Sequence, residues 1–138
     1  MANIQQDIRN AIQAKLTGTS TAFRTAITTS TGVHRLFFNE AQQGAILPYV
    51  VHDLTPITEE RDSASTWVNS TLQFLVCSST LSDCENIAQY LRDIMDDLDA
   101  GLTMTGRTTL QITHDIQRYN GKIDNVHNMI VQYKLTVQ

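Results

Sequence analysis

The chain has 138 residues, a formal net charge of −4 and only 17% charged residues, where soluble proteins average roughly 25%. Its apolar content of 41% excludes a disordered chain, which would be poorer in apolar residues and richer in charge. The acidic balance argues against a dedicated nucleic-acid binder, because such proteins carry a basic patch. We expect one domain that spans residues 1–138.

The start of the chain has neither the positive charge nor the apolar run of a signal peptide. Nowhere do about 18 apolar residues follow one another, as a membrane-spanning helix requires. We therefore expect a protein that stays in the cytoplasm where it is made and has no membrane partner. In that compartment Cys77 and Cys84 are expected to be two buried free thiols.

The N-terminal part of the sequence predicts helices and then strands. Residues 4–16 place apolar side chains on one helical stripe, and Gly18 stands just past its end as a cap. Residues 22–27 predict a second, short helical turn. Residues 33–38, a short aromatic-rich run, and residues 49–54 are strand-like.

Residues 66–78 alternate between apolar and polar side chains and predict a longer strand. Between this strand and the one before it, residues 56–65 are charged and small, which predicts a hairpin loop longer than usual. Such a loop cannot be buried easily, so we expect it to project from the sheet. It carries Glu59, Glu60, Arg61 and Asp62.

The strongest helical periodicity covers residues 81–99. Ser82 with Glu85 fits a capping box at its start, Ser79 is an alternative cap, and Gly101 can end it. The apolar residues that share one face of this helix are Cys84, Ile87, Ala88, Leu91, Ile94, Met95 and Leu98.

Two further strands close the chain, and Asn120-Gly121 is a strong signal for the hairpin turn that joins them. The first strand has alternating apolar-face residues Leu110, Ile112, His114 and Ile116, and the second has Met129, Val131, Tyr133, Leu135 and Val137.

All six glycines fall between the predicted elements. The element order is α-β-β-β-α-β-β. This order predicts an α+β fold: a mostly antiparallel sheet of four to five strands, with the N-terminal helix and one long helix packed on one face.

Residues 101–108 come close to a phosphate-binding loop but have arginine where lysine belongs. Phosphate binding needs a strand before the loop and a helix after it, whereas here the predicted order is reversed. We interpret the segment as a helix-to-strand turn.

The predicted long helix ends in four acidic residues, Asp93, Asp96, Asp97 and Asp99. We interpret them as a face exposed to solvent. The alternative is a charged contact with a neighbouring subunit or a basic partner.

No residue pattern predicts catalysis or metal binding. A zinc site needs three or four converging ligands, whereas the histidines are spread over four predicted strands. There is no Gly-x-Ser-x-Gly nucleophile motif, and Glu59 and Glu60 have no cleft that would raise a carboxyl pKa. We expect no catalytic site, no metal, no cofactor and no enzyme activity. The histidines are His34, His52, His114 and His127.

The order of features resembles the tail-completion, or tail-terminator, family of tailed bacteriophages. The resemblance rests on the Leu-Pro-Tyr-Val-Val run at residues 47–51, the strand at 73–78 that leads into the helix at 86–92, and the closing strand at 128–135. It covers nearly the whole chain but departs from the family pattern over the threonine-rich residues 25–31.

The resemblance implies a structural virion protein and no enzyme. Such a protein forms a homo-oligomeric ring, typically a hexamer, on the last ring of the tail tube. There it stops polymerisation and joins the tail to the connector proteins of the head. It would be made in the host cytoplasm and end at the head-proximal end of the tail, where DNA passes through its lumen without specific binding. We expect Glu59, Glu60, Arg61 and Asp62 to contact a neighbouring subunit or the tube.

Three other functions remain open at this point. A head-completion or connector adaptor protein would have the same composition and differ only in binding the portal side. A small intracellular enzyme would need a pocket in which two or three of the histidines converge. A host-side binding module would stay monomeric at high concentration.

Overall fold

The computed structural model describes residues 4–18, 21–41, 44–61, 66–96, 104 and 109–138. Over these ranges the chain forms α1 (Ile4–Thr17), α2 (Ala22–Ile27), β1 (Leu36–Phe38), β2 (Tyr49–Arg61), β3 (Thr66–Ser78), α3 (Leu81–Met95), β4 (Thr109–Ile123) and β5 (Val126–Val137).

The five strands form one sheet in the order β1-β2-β3-β5-β4. The β1–β2 pair is parallel and the other three pairs are antiparallel. The predicted α+β class, with a mostly antiparallel sheet, is therefore confirmed.

The core lies between the helices and one face of the sheet. Each helix contributes apolar side chains to a single buried cluster, for example Ile12 from α1, Phe23 from α2 and Leu91 from α3. On the sheet side, alternate residues such as Phe74 and Tyr133 complete this cluster, as expected for strands that bury one face. The predicted packing of helices on one face is confirmed.

The predicted loop at residues 56–65 is wrong over most of its length. β2 continues through Arg61, which pairs with Thr66 at the start of β3, and only a register shift between Leu54 and Ile57 interrupts the pairing. Charged residues in this stretch suit a strand near a sheet edge, where charge opposes unwanted strand pairing. Residues 62–65 lie outside the described part of the chain.

The predicted turn at Asn120-Gly121 is also wrong. The β4–β5 turn is Asp124-Asn125, with φ of 51° and 64°, which matches a two-residue turn that requires positive φ at both positions. Gly121 lies inside β4, at a register shift, with φ of 106°. Glycine permits the β-bulge there, so the prediction that every glycine lies between elements fails at this position.

The start of α3 differs from the predicted capping box. The hydroxyl of Thr80 accepts a hydrogen bond from the backbone N–H of Asp83 at 3.2 Å, so Thr80 is the N-cap, and neither Ser82 nor Ser79 is. The helix ends at Met95, and the predicted cap at Gly101 lies outside the described residues.

The two cysteines are free and buried, as predicted. Burial raises the pKa of Cys84 to about 11, so this thiol stays protonated and unreactive at neutral pH. Among the described helices, none is both long and apolar enough to cross a membrane.

Candidate assembly surface

One edge of the sheet is the outer side of β4, which we call the β4 edge. It is 15 residues long, and no other strand in the described ranges pairs with it. Three large hydrophobic side chains on this strand are exposed: Ile116 at 42%, Tyr119 at 45% and Ile123 at 61%. A long edge strand with exposed apolar residues is a template for pairing with another chain.

Irregular pairing moves Ile116 of β4 away from the core face of the sheet. The register shift between His114 and Ile116 adds one residue to β4 relative to β5, and an extra residue moves the following side chains to the other face of the sheet. Ile112 therefore lies opposite Leu135 of the core face, whereas Ile116 lies opposite Gln132 of the other face.

The alternation of apolar residues along 110–116 predicted that Ile116 lies on the core face. No local sequence signal marked the bulge at this position. The exposed Ile116 was therefore missed as a surface residue.

A contact with His127 holds the exposed Tyr119 in place. Its hydroxyl lies 2.8 Å from Nδ1 of His127, and the two rings are 5.9 Å apart. This contact orients the tyrosine without burying it, so the ring remains available to a partner surface.

The opposite edge of the sheet is stepped. β1 is only three residues long and pairs with residues 50–52 of β2. After β1 the chain turns away at Asn39, which has φ of 72° and whose N–H donates to the carbonyl of His52 at 2.9 Å. Residues 53–61 of β2 therefore have no strand neighbour on this side among the described residues. We call this open segment the β2 notch.

Three of the four predicted contact residues lie at the far end of the β2 notch. Their strand positions are opposite β3: Glu59 pairs with Val68, Glu60 with Trp67 and Arg61 with Thr66. The fourth, Asp62, lies outside the described residues.

The second face of the sheet carries no described helix, and cross-strand pairs cover it. The amide of Gln132 donates to Oε1 of Gln73 at 2.9 Å, and the hydroxyl of Thr136 donates to Oδ1 of Asn69 at 2.8 Å. Toward the other end of the sheet, Phe37 packs edge-on against Tyr49, with ring centroids 6.1 Å apart. This face is thus polar at one end and aromatic at the other.

The structure places the four histidines on separate parts of the fold. Nδ1 of His34 lies 2.8 Å from the hydroxyl of Thr28, and the His114 ring packs edge-on against Tyr133 at 5.5 Å. Over the described ranges, no group of three or more His, Cys, Asp or Glu residues could hold a metal ion.

His52 is fully buried and links α1 to the sheet. Its Nε2 lies 3.1 Å from Oε1 of Gln13, and its ring lies near those of Phe38 and Phe74. Burial, with a smaller contribution from the Arg9 guanidinium, lowers the pKa of His52 to about 4. The side chain is therefore neutral at physiological pH and acts in packing.

The two described acids at the end of α3, Asp93 and Asp96, are both exposed, as predicted for a solvated face. Asp93 accepts a hydrogen bond from Gln89 at 2.8 Å. Asp96 also accepts the hydroxyl of Tyr133 at 2.6 Å and pairs with Arg92 at 3.0 Å. Asp97, Asp99 and most of the segment at residues 101–108 lie outside the described part of the chain.

An open depression of about 430 Å³ lies beside α2. Its described lining consists of Arg24, Thr25, Thr28 and Thr29. This lining offers one cation and three hydroxyls but no carboxylate, thiol or imidazole, so it has no general base to activate a hydroxyl.

Comparisons with known proteins identify the fold. No protein-family model and no curated protein matches the sequence. The fold is similar to a chain in the virion of a native gene transfer agent particle, with a TM-score of 0.75 and 10% identity over 99% of this chain and 98% of that chain. A second solved structure, whose name describes no function, matches with a TM-score of 0.62 and 16% identity over 97% of this chain and 95% of that chain. At these identities the likeness shows a shared fold.

Proposed function

We propose that this chain is a structural protein of a phage-like virion. It caps the head-proximal end of the tail tube as a closed ring of copies, typically six, stops tube polymerisation and forms the surface that joins tail to head. The observation that carries the proposal is the likeness of its fold, over nearly its full length, to a chain of a gene transfer agent virion.

The two sheet edges support this function physically. A protein that acts through assembly needs surfaces that are incomplete in the single chain, and both the β4 edge and the β2 notch lack strand partners in the described residues. Closed rotational symmetry satisfies such edges without leaving one free. The described chemistry, in which titratable side chains serve packing contacts, is consistent with a role without catalysis.

The proposed partners are further copies of the chain, the tail tube protein and the head–tail connector proteins. We assign Glu59, Glu60, Arg61 and Asp62 to a contact with a neighbouring copy or the tube. DNA passes through the ring without specific binding, because like charge on the acidic protein and the phosphates opposes contact. The protein is made in the host cytoplasm and ends in the virion.

The function is tested by adding purified protein to tail tubes that are assembling from the tube protein of the same virus. We expect the tubes to stop growing and to carry an extra ring at one end in negative-stain images. Heat-denatured protein added in equal amount is the control. Tubes of unchanged length with bare ends would overturn the proposal, and binding to the portal vertex alone would assign the chain to the connector.

A further inference from the structure

We propose that copies of this chain join by strand pairing, in which the β4 edge of one copy pairs with the β2 notch of the next. The sheet then runs without interruption around the ring. This inference rests on the proposed function, since it describes how the copies of that ring contact one another.

Strand polarity fits this pairing. β2 and β5 run in one direction, and β3 and β4 run in the other. Copies related by rotation about an axis along the strands keep these directions, so β4 of one copy is antiparallel to β2 of the next. Antiparallel pairing is the more stable arrangement per residue.

The shape of the two edges restricts where they meet. β1 occupies the position beside residues 50–52 of β2, so only the β2 notch at residues 53–61 is open to a new strand. The β4–β5 hairpin ends in the tight turn at Asp124-Asn125. Its tip is therefore narrow enough to enter the β2 notch beside the end of β1, with the exposed Ile123 leading.

Charge favours this pairing over one between two β4 edges. The β2 notch carries Asp53, Glu59 and Glu60 against one cation, Arg61. The last eight residues of β4 are free of acid and include Arg118 and Lys122. The two segments thus have opposite net charge.

Pairing β4 with itself would be unfavourable. Two antiparallel β4 edges that overlap along this segment would place two segments side by side that each carry Arg118 and Lys122 and no acid, and like charges across a contact oppose association. The partner that matches the β4 edge in polarity, shape and charge is therefore the β2 notch.

The pairing also explains how assembly ends. Each copy offers one edge of each kind, so a head-to-tail contact leaves one unused edge on each end of any open chain of copies. Closure into a ring removes both.

Cross-linking tests the contact directly. Cysteines are introduced as Asp53→Cys, at the start of the β2 notch beside the end of β1, and Ile123→Cys on the β4 edge of the same chain, and the protein is treated with a short bis-maleimide, alone and on tail tubes. We expect a ladder of products up to the ring size, at about tenfold or more above the controls, because paired strands hold the two thiols at high effective concentration. The native Cys77 and Cys84 are buried, so the unmodified protein gives the background.

Two matched controls define the contact. Ile123→Cys alone should give no dimer, and Asp53→Cys combined with Glu85→Cys, on the exposed side of α3, should give no ladder. A dimer from Ile123→Cys alone would show that β4 pairs with β4 and would overturn the proposal.

Charge exchange provides an independent test. The double variants Arg118→Glu with Lys122→Glu, and Glu59→Lys with Glu60→Lys, should each weaken self-association about tenfold, because each places like charges across the contact. All four changes in one chain should restore association. Urea midpoints equal to that of the parent protein show that the monomer fold is intact in each variant.

The outcomes separate this inference from the proposed function. Rings on tubes without the cross-linked ladder would overturn the strand pairing and leave the capping function standing. A ladder in a protein that does not cap tubes would support the pairing and overturn the function. No ladder in either condition, with no effect of charge exchange, would overturn the pairing.

Discussion

At the scale of single residues, His52 shows how burial couples this fold to pH. The side chain is fully buried, and burial together with the Arg9 guanidinium lowers its pKa to about 4. In the unfolded chain the pKa returns to about 6.5. Between these two pH values His52 is protonated in the unfolded state but not in the folded state. The free energy of unfolding is therefore highest above about pH 6.5 and falls as the pH drops toward 4.

We predict that lowering the pH from 7.5 to 5 reduces the free energy of unfolding by about 2 kcal/mol through His52 alone. Urea unfolding at the two pH values measures the change. The variant His52→Gln, which keeps a polar group near Gln13 but does not titrate, should lose about this much of the pH dependence. An equal pH dependence in both proteins would contradict the assignment.

Tyr133 is another buried residue with a defined polar contact. Its side chain is fully buried, and its hydroxyl donates to Asp96 at 2.6 Å. Burial and this hydrogen bond raise its pKa above the ordinary value. This hydrogen bond connects the C-terminal end of α3 to β5.

We predict that Tyr133→Phe lowers the free energy of unfolding by about 1 kcal/mol, because it removes one hydrogen bond while keeping the ring. Asp96→Ala should cost about 1–3 kcal/mol, because it leaves the buried hydroxyl without its acceptor. Thermal or urea unfolding of both variants and of the double variant measures the coupling. Additive effects would show that the two side chains do not act together.

At the scale of helices and strands, the start of α3 gives a matched pair of substitutions. Thr80 caps the helix through its hydroxyl, whereas Ser82 is the second residue of the helix and is exposed. We predict that Thr80→Ala lowers the free energy of unfolding by about 1 kcal/mol and that Ser82→Ala changes it by less than about 0.5 kcal/mol. A larger loss for Ser82→Ala than for Thr80→Ala in urea unfolding would contradict this cap and support the capping box predicted from the sequence.

The elements with one buried face could be predicted from the sequence. α1, α2 and β3 were predicted nearly to their bounds, because a single core face imposes a clear period on their apolar residues. The sequence could not locate what tertiary pairing decides. β2 continues through its charged residues because β3 offers them partners, and the bulges in β4 move Ile116 out of an alternation that looked regular.

The candidate site was predicted less well than the core, for the same reason. Glu59, Glu60 and Arg61 were predicted to lie in a projecting loop and to make a contact, but their place on a strand beside the β2 notch depends on where β1 ends. The β4 edge became visible only with the strand order, because a strand's sequence does not reveal whether it lies at the edge of a sheet.

At the scale of the whole molecule, net charge bears on how a ring of copies meets DNA. Each chain carries a net charge of −4, and the proposed ring would place this charge around one lumen. Phosphate binding depends on lysine and arginine that displace counterions. A ring of acidic copies therefore opposes DNA retention while leaving a path through which the duplex can slide.

We predict that the assembled ring does not retain duplex DNA even at about 50 mM salt, where phosphate contacts are strong. A variant that replaces exposed acids of α3, away from both sheet edges, with Asp83→Lys, Glu85→Lys and Asp93→Lys, should retain DNA and release it as salt rises. Gel-shift and filter-binding measurements on rings of equal size compare the two proteins. Equal DNA retention by both proteins would contradict the prediction, because it would show that the charge of the ring does not determine whether DNA is retained.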